Sequence, residues 1–205
     1  MKTRTLVTEL PKHAPGEVRI IGGQWKRSKL SVPAKPGLRP TPDRVRETLF
    51  NWLGQDLSGL KCVDAFAGSG ALGFEAASRG ASDVLLIEHD PQLVANLQAH
   101  KTRLKADSIR IQRGDCISLL RSLPQFSIDV IFLDPPFDSD LFLEAITAAA
   151  GVISAQGAIY LEAPDVWDDE KLATLGLRVI KQGKAGAVHF HLLRVHGGQE
   201  MKGIP

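Results

Sequence analysis

A strand-like segment that runs into a glycine-rich loop and then into a helix-like segment constrains this chain more than any other feature. The mostly apolar residues 62–66, interrupted by Asp64, lead into three glycines with the spacing G-x-G-x-x-G, at Gly68, Gly70 and Gly73. Residues 71–78 have the composition of a buried helix and predict one. Strand, glycine turn and helix in this order are typical of a ligand-binding βα unit, in which the backbone approaches the ligand at the helix N-terminus.

Strand-like and helix-like segments continue to alternate after this unit. The further predicted strands are residues 84–87, 109–111, 128–133, 158–161, 177–180 and 187–193, and the predicted helices are 91–105, a short one through 119–120, 141–150 and 168–175. Such alternation predicts an α/β, Rossmann-like fold: a mostly parallel seven-stranded sheet with helices on both faces. The last two strands leave no room for a helix, so we expect a turn at 182–186 and a C-terminal antiparallel hairpin.

The N-terminal part of the chain has a different pattern. Residues 1–17 lack periodicity and predict a flexible tail. Residues 18–40 contain two β-prone runs around a glycine pair, followed by prolines, and predict a small β extension. A helix should begin at Thr41-Pro42-Asp43, with Thr41 as N-cap and Pro42 at the first helical position.

Charge is distributed unevenly along the chain. Residues 1–46 carry eleven Lys and Arg against three acids, a net +8, whereas residues 47–205 carry −6. A basic arm on an acidic body favours a polyanionic partner, although a solvated tail would explain the same charge. The chain has no segment long enough to span a membrane and no secretory signal, so we expect it in the cytoplasm.

No metal site is predicted from the histidines and cysteines. Cys62 and Cys116 lack metal-ligand spacing, and two isolated thiols are more often core residues than a disulfide. His189 and His191 share a strand face without a third ligand, so we interpret them as structural.

Acidic residues follow the first three predicted strands, at Asp64, Glu88 and Asp115. Glu88 can bind ribose hydroxyls in a nicotinamide enzyme and in a methyltransferase, so it does not separate the two. Three acids suit a ligand with a sulfonium and an ammonium better than an anionic pyrophosphate. The pattern favours S-adenosylmethionine, with Asp64 near its amino group and Asp115 near its adenine. A glycine turn without a ligand is the alternative.

The tetrapeptide Asp134-Pro135-Pro136-Phe137 follows the fourth predicted strand, at the sheet edge where the cofactor is expected. The Asp134 carboxylate and the Pro135 carbonyl could accept the two hydrogens of one amino group and direct its lone pair toward a methyl donor. Phe137 would stack on the planar group, an unpaired or flipped base. The alternative is a turn that only ends a core strand. It would explain the two prolines but not the acid and the aromatic residue on either side of them. Neither cysteine ends this strand, so a covalent cysteine mechanism is not expected.

Taken together, these motifs resemble the 16S rRNA (guanine(966)-N2)-methyltransferase family. The resemblance runs from about Val18 to about Val195 and also rests on two N-terminal strings, R-I-I-G-G at 19–23 and R-P-T-P-D-R-V-R-E-T-L-F-N-W-L at 39–53. These two strings are more specific than the tetrapeptide or the glycine loop. Pro42 departs from the Thr expected in many relatives, a change that a first-turn position tolerates.

The resemblance implies a class I methyltransferase domain at 41–205, an RNA-binding extension at 18–40, S-adenosylmethionine as cofactor and 16S rRNA or the small ribosomal subunit as partner. We expect a monomer. The implied catalytic residues are Asp134, Pro135, Pro136 and Phe137. The implied cofactor-binding residues are Thr41, Arg44, Asp64, Ala65, Phe66, Gly68, Ser69, Gly70, Glu88, His89, Asp115 and Cys116. The implied RNA-binding residues are Arg19, Trp25, Lys26, Arg27, Lys29 and Arg39.

Two alternatives stay open at this point. The same chemistry could act on DNA adenine N6 or on a protein glutamine, although the loops are too short for the target-recognition insertion expected of a DNA enzyme. A non-catalytic RNA-binding protein is the alternative from another class.

Overall fold

The computed structural model of the protein describes residues 16–35, 38 and 40–197. Arg39 and all of the predicted tail except Gly16 and Glu17 lie outside the described residues. The strands are β1 (Gly16–Arg19), β2 (Lys29–Val32), β3 (Lys61–Asp64), β4 (Asp83–Glu88), β5 (Ile109–Arg113), β6 (Ile128–Leu133), β7 (Ile153–Ala163), β8 (Leu177–Ala185) and β9 (Val188–Val195). The helices are α1 (Asp43–Trp52), α2 (Ala71–Ser78), α3 (Pro91–Leu104), α4 (Cys116–Ser122), α5 (Phe142–Val152) and α6 (Asp169–Leu172), followed by a 3₁₀ turn at Ala173–Leu175.

The main sheet has seven strands in the order β5-β4-β3-β6-β7-β9-β8. Strands β3 to β7 pair in parallel, and β9 is antiparallel to both of its neighbours. The predicted α/β fold with a C-terminal antiparallel hairpin is therefore confirmed. Because β3 to β7 all point the same way, their carboxyl ends form one edge, at which a doubly wound sheet binds its ligands.

The C-terminal hairpin turns at Gly186-Ala187, so the predicted turn at 182–186 was too wide. Gly183 lies inside β8, where an added Cβ would come within 2.3 Å of the Phe190 ring on the neighbouring strand. This glycine permits close packing between the strands and does not make the turn. A glycine in a β-prone run can either form a turn or permit close packing between strands, and the sequence alone does not distinguish these two roles.

Helices cover both faces of the sheet, and each face has its own core. On one face, α1, α2 and α3 pack together with β1 and β2 around buried aromatic residues that include Phe50, Phe74 and Phe132. On the other face, α4, α5 and α6 bury an aliphatic core centred on Ile131 and Leu161. Among the described helices, none is long and apolar enough to cross a membrane. Cys62 and Cys116 are buried free thiols.

The N-terminal β unit, predicted as a small β extension, is an antiparallel pair of strands, with Arg19 opposite Lys29 and Gly16 opposite Val32. Its connecting loop docks against the C-terminal end of α2. There, Ser78 donates its hydroxyl to the Gly22 carbonyl at 2.6 Å, and the Ser78 carbonyl accepts the Gln24 N–H at 2.7 Å. The β unit is thus packed onto the sheet's helical layer.

Helix α1 begins one residue later than the sequence indicated. Pro42 is the N-cap, with an extended backbone and no side-chain capping bond, and Asp43 is the first helical residue. Thr41 is therefore not the N-cap. Its hydroxyl instead donates to the Glu162 carboxylate at 2.8 Å. The Thr41 hydroxyl, which could have capped the helix, is thus hydrogen-bonded to a residue that is distant in the sequence.

Candidate active site

The glycine-rich loop joins β3 to α2 at the carboxyl edge of the sheet. Gly68 and Gly70 have left-handed backbones, with φ of +49° and +78°, which glycine adopts without a Cβ clash. The Gly68 N–H donates to Glu88 Oε2 at 2.9 Å, so the loop is fastened to the end of β4. Leu38, in the segment before α1, lies against Gly68. The neighbouring predicted residues Ala65, Phe66 and Ser69 lie in the same loop.

Asp64 ends β3 and is almost fully buried. Its Oδ2 accepts the Gly73 N–H at 2.9 Å, in the first turn of α2. Because the N-cap of α2 is Gly70, which has no side chain, Asp64 supplies the acceptor that a capping residue would normally provide. Burial raises the pKa of Asp64 to about 7, with further increases from the charges of Glu88 and Glu162.

The other predicted cofactor residues lie along the same edge. Glu88 ends β4 and also accepts the Asp90 N–H at 2.8 Å, so each of its carboxylate oxygens holds one backbone bond and keeps a second lone pair. The exposed His89 ring lies 3.1 Å from Glu88. Asp115 caps α4 by accepting the Ser118 N–H, and this hydrogen bonding lowers its pKa. Cys116 follows it, buried, with a pKa raised to about 12 by that burial.

The tetrapeptide leaves β6 beside the glycine-rich loop, because β6 is the neighbour of β3 in the sheet. The Pro136 carbonyl accepts bonds from the Ser139 N–H at 3.1 Å and hydroxyl at 2.6 Å, which fixes the turn. No described residue donates a hydrogen bond to the Asp134 carboxylate or to the Pro135 carbonyl. Phe137 is 41% exposed, and among the described residues its ring is paired with the Phe142 ring, at a centroid distance of 6.4 Å. Two acceptors without a donor among the described residues, the half-buried Asp134 and the buried Pro135, thus lie beside one exposed aromatic ring.

Glu162, near the end of β7, is the main residue that the sequence analysis missed. It is 5% exposed, and its Oε1 accepts hydrogen bonds from Thr41 at 2.8 Å and from Tyr160 at 3.0 Å. The register pairs Leu133 with Leu161, so Glu162 and Asp134 come next on adjacent parallel strands and project from the same face. The sequence did contain a signal for it. Glu162 comes directly after the predicted strand 158–161, just as Asp134 comes directly after the predicted strand 128–133.

Five acids thus follow one another along the carboxyl ends of neighbouring strands. In sheet order this acidic edge consists of Asp115, Glu88, Asp64, Asp134 and Glu162. Burial is the main reason that the pKa of Asp134 is raised well above its usual value, and the charges of Glu162 and Asp64 add to it. Burial likewise raises the pKa of Glu162, against the hydrogen bonds from Thr41 and Tyr160 that favour its charged form. A cation placed among these carboxylates would relieve the repulsion.

The predicted RNA-binding residues lie on and around the N-terminal β unit. Lys26 and Arg27 are exposed in its connecting loop, at the end of α2 away from the glycine-rich loop. Two others already have acidic partners, since Arg19 pairs with Asp43 at 3.0 Å and Lys29 with Glu17 at 2.7 Å. Trp25 is partly buried against the core. Arg39 lies outside the described residues. Among the described cations of this group, Lys26 and Arg27 are therefore the ones without an acidic partner.

Helix α1 carries two arginines with different surroundings. Arg44, predicted to close over the cofactor, is exposed. Arg46 is fully buried and donates to the Arg19 carbonyl at 2.8 Å, while its guanidinium lies 3.3 Å from the Glu75 carboxylate on α2. Arg46 thus joins α1, β1 and α2, a role that its sequence context did not predict.

The fold is shared with solved methyltransferases. One from Escherichia coli superposes with a TM-score of 0.74 at 39% identity, over 88% of this chain and 98% of that chain. Fold and site together define a class I methyltransferase. More narrowly, the chain belongs to the family described as Conserved hypothetical protein 95, whose model matches residues 18–194.

Two relatives named ribosomal RNA small subunit methyltransferase D extend the comparison. The relative from Escherichia coli is 45% identical over 157 residues, which cover 74% of this chain and 78% of the relative. The relative from Haemophilus influenzae is 40% identical over 187 residues, which cover 88% and 95%. The family predicted from the motifs is therefore confirmed.

Proposed function

We propose that this protein transfers the methyl group of S-adenosylmethionine to the exocyclic N2 amino group of a guanine in 16S rRNA, the guanine at position 966. The observation that carries the proposal is the position of Asp134 and Pro135. Their two free acceptors stand at the carboxyl end of β6, next to the glycine-rich loop. The names of the two relatives support rRNA of the small subunit as the substrate class.

The acidic edge fits S-adenosylmethionine by its charge. Burial raises the pKa of Asp64 and of Asp134, and the charge of Glu162 raises both further, so a sulfonium and an ammonium would favour their charged forms. The second lone pairs of the Glu88 oxygens could accept ribose hydroxyls. Asp115, Cys116 and His89 border the same edge and would contact the adenine. Thr41 and Arg44 would close the site from the side of α1.

When bound, the cofactor supplies an electrophilic methyl: the N2 lone pair forms the N–C bond while the electrons of the S–C bond return to sulfur. The protein's own part is to activate and orient the amino group. Asp134 and the Pro135 carbonyl accept its two hydrogens, which directs the lone pair outward and stabilises the positive charge that develops on nitrogen. The Asp134 carboxylate then takes the proton that the methylated nitrogen releases. Phe137 stacks on the flipped base.

The N-terminal β unit would hold the RNA backbone. Lys26 and Arg27 offer two exposed cations for phosphates, and Trp25, Arg19, Lys29 and Arg39 would add to this surface. In this division, residues 18–40 bind RNA and residues 41–205 form the methyltransferase domain. We propose that the protein acts as a monomer in the cytoplasm, where small subunits are assembled.

The test is tritiated methyl transfer from S-adenosylmethionine to naked 16S rRNA, 30S subunits, duplex DNA and release factors. We expect label in 16S rRNA or 30S subunits, and as N2-methylguanine after digestion. Asp134→Ala should abolish labelling but leave cofactor binding measurable by calorimetry. Labelling of DNA or protein alone would refute the rRNA substrate. Labelling that is indifferent to Asp134→Ala would refute the catalytic role of the tetrapeptide.

A further inference from the structure

Glu162 has no role in the methyl transfer described above, yet it is among the most enclosed acids of the site. Its side chain is 5% exposed, and both of its hydrogen bonds go to Oε1. Oε2 accepts no hydrogen bond from the described residues. The two hydroxyls hold the carboxyl group in one orientation and oppose the rise in its pKa that burial causes, so the Glu162 side chain is fixed in place with Oε2 as an acceptor.

The sheet order places this acceptor on the substrate side of the site. Counting from β5, the strands carry Asp115, Glu88 and Asp64, then Asp134, and last Glu162. Glu88 and Asp64 bond to the glycine-rich loop and to the first turn of α2, whereas Glu162 lies one strand beyond Asp134, on the side away from that loop. A group that projects there meets the molecule being methylated, because the methyl donor lies on the opposite side of Asp134.

Asp134 and Glu162 are close enough to read one base edge together. Adjacent strands lie about 4.8 Å apart, and residues in register on parallel strands project from the same face. Leu133 pairs with Leu161, so the two acids stand next to each other at the same level of the sheet. The longer Glu side chain starts one strand farther out and can reach back toward the group that Asp134 holds.

Guanine carries two adjacent donors on its Watson–Crick edge, the N2 amino group and N1–H. Adenine and 2,6-diaminopurine instead present a lone pair at N1, which a carboxylate would repel. We propose that Glu162 accepts N1–H of the target guanine while Asp134 and Pro135 hold its N2 amino group, so that Glu162 makes the enzyme specific for guanine. This inference rests on the proposed function and adds a base-reading residue to it.

Thr41 has a defined part in this arrangement. It lies in the chain between the N-terminal β unit and α1, and its hydroxyl donates to the same Glu162 oxygen as Tyr160. It is a positioning residue, because it acts on the base through Glu162. The segment that connects the RNA-binding unit to the main domain thereby contacts the base-reading side chain directly.

The test compares two bases at one RNA position. The target guanine of 16S rRNA is replaced by 2,6-diaminopurine, which keeps the 2-amino group but lacks N1–H, and single-turnover methylation of both RNAs is measured, free and in reconstituted subunits. The wild type should prefer guanine by roughly 10- to 100-fold in kcat/KM. Glu162→Gln presents an N–H₂ group to N1 and should reduce this preference to about threefold or less, mainly by losing activity on guanine. Glu162→Asp, which keeps the carboxylate, should restore part of the preference.

A ratio of two substrates is independent of the fraction of folded enzyme, so poor folding of a variant does not obscure the result. The change at the 6-position of the base is common to both enzymes and cancels in the comparison. An unchanged preference in Glu162→Gln, with equal loss on both bases, would overturn the role of Glu162 and leave the proposed function standing. Failure of the wild type to methylate the guanine RNA in either form would instead overturn the proposed function.

Discussion

Arg46 and Glu75 form an ion pair at 3.3 Å in which neither side chain is exposed to solvent. The pair is stabilised by further bonds: Glu75 Oε2 accepts the Ile21 N–H at 2.8 Å, and Arg79 donates to Glu75 Oε1 at 2.9 Å. Arg46 also donates to the Arg19 carbonyl. Two buried charges are tolerated because almost every polar atom around them has a partner, and the partners come from three different segments. The pair therefore couples the N-terminal β unit to the helix that follows the cofactor loop.

Removal of Arg46 should destabilise the whole protein. Arg46→Ala removes one of the two cations that contact the buried Glu75 carboxylate and leaves Arg79 as the other, and loss of a partner costs about 3–5 kcal/mol in other buried pairs. Urea unfolding followed by far-UV circular dichroism measures the change. Arg44→Ala, two residues earlier on the same helix but exposed, is the matched control and should stay within about 0.5 kcal/mol of the wild type. Equal changes in the free energy of unfolding for the two variants would show that the buried ion pair contributes no more to stability than an exposed arginine does.

A methyl group at Gly23 should detach the N-terminal β unit from α2. The backbone there has φ of +69°, and an added Cβ would lie 1.8 Å from the Ser78 carbonyl oxygen. Gly59 has a similar φ of +81° with nothing within 4 Å of its added Cβ, so Gly59→Ala measures the backbone strain alone. Hydrogen exchange in β1 and β2 should become much faster in Gly23→Ala and stay near the wild-type rate in Gly59→Ala. Similar exchange in both variants would contradict the docking seen here.

The contribution of Asp64 to the stability of the ligand-free protein should fall as the pH rises from 3.8 to about 7. Burial raises the pKa of Asp64 from 3.8 to about 7, so the folded protein binds a proton more tightly than the unfolded chain in this window. Protonation therefore favours the folded state below pH 3.8, and that contribution is lost as the pH passes the folded-state pKa. Urea unfolding at a series of pH values should show this decline as a difference between the wild type and Asp64→Asn, which does not titrate. A decline that is identical in this variant would exclude Asp64 as its source.

Two exposed cations should govern RNA affinity. Lys26→Ala combined with Arg27→Ala should weaken RNA binding and reduce the slope of log K against log salt by about 2, one for each lost phosphate contact. Fluorescence anisotropy with a 16S rRNA fragment at several salt concentrations measures this slope. Calorimetry should find cofactor affinity nearly unchanged, because the loop lies at the far end of α2. A control that removes two exposed cations elsewhere, Lys61→Ala with Arg121→Ala, should leave the slope close to that of the wild type.

Local patterns in the sequence were sufficient for the elements that carry the site. Helix α2 and strand β6 have the bounds that the sequence predicts, because each is a short apolar run closed by glycine or proline. Strand β7 is longer than expected. It begins at Ile153, directly after α5, and includes the polar residues Ser154 and Gln156, which continue the strand past an irregularity in its pairing with β6. Strand β7 is extended because Ile153 pairs with Ile128 of β6, and such pairing between distant residues cannot be predicted from the local sequence.

The sequence by itself determined the order of strands and helices, the glycine-rich loop, the tetrapeptide and the family, since each depends on residues that are close along the chain. Only the tertiary structure decided which distant residues share a hydrogen bond. It joined Thr41 to Glu162 across 121 positions and Arg46 to Glu75 across 29. The physical reason is that a buried polar group must find a partner, and the packing of the sheet and its helices selects that partner from the whole chain.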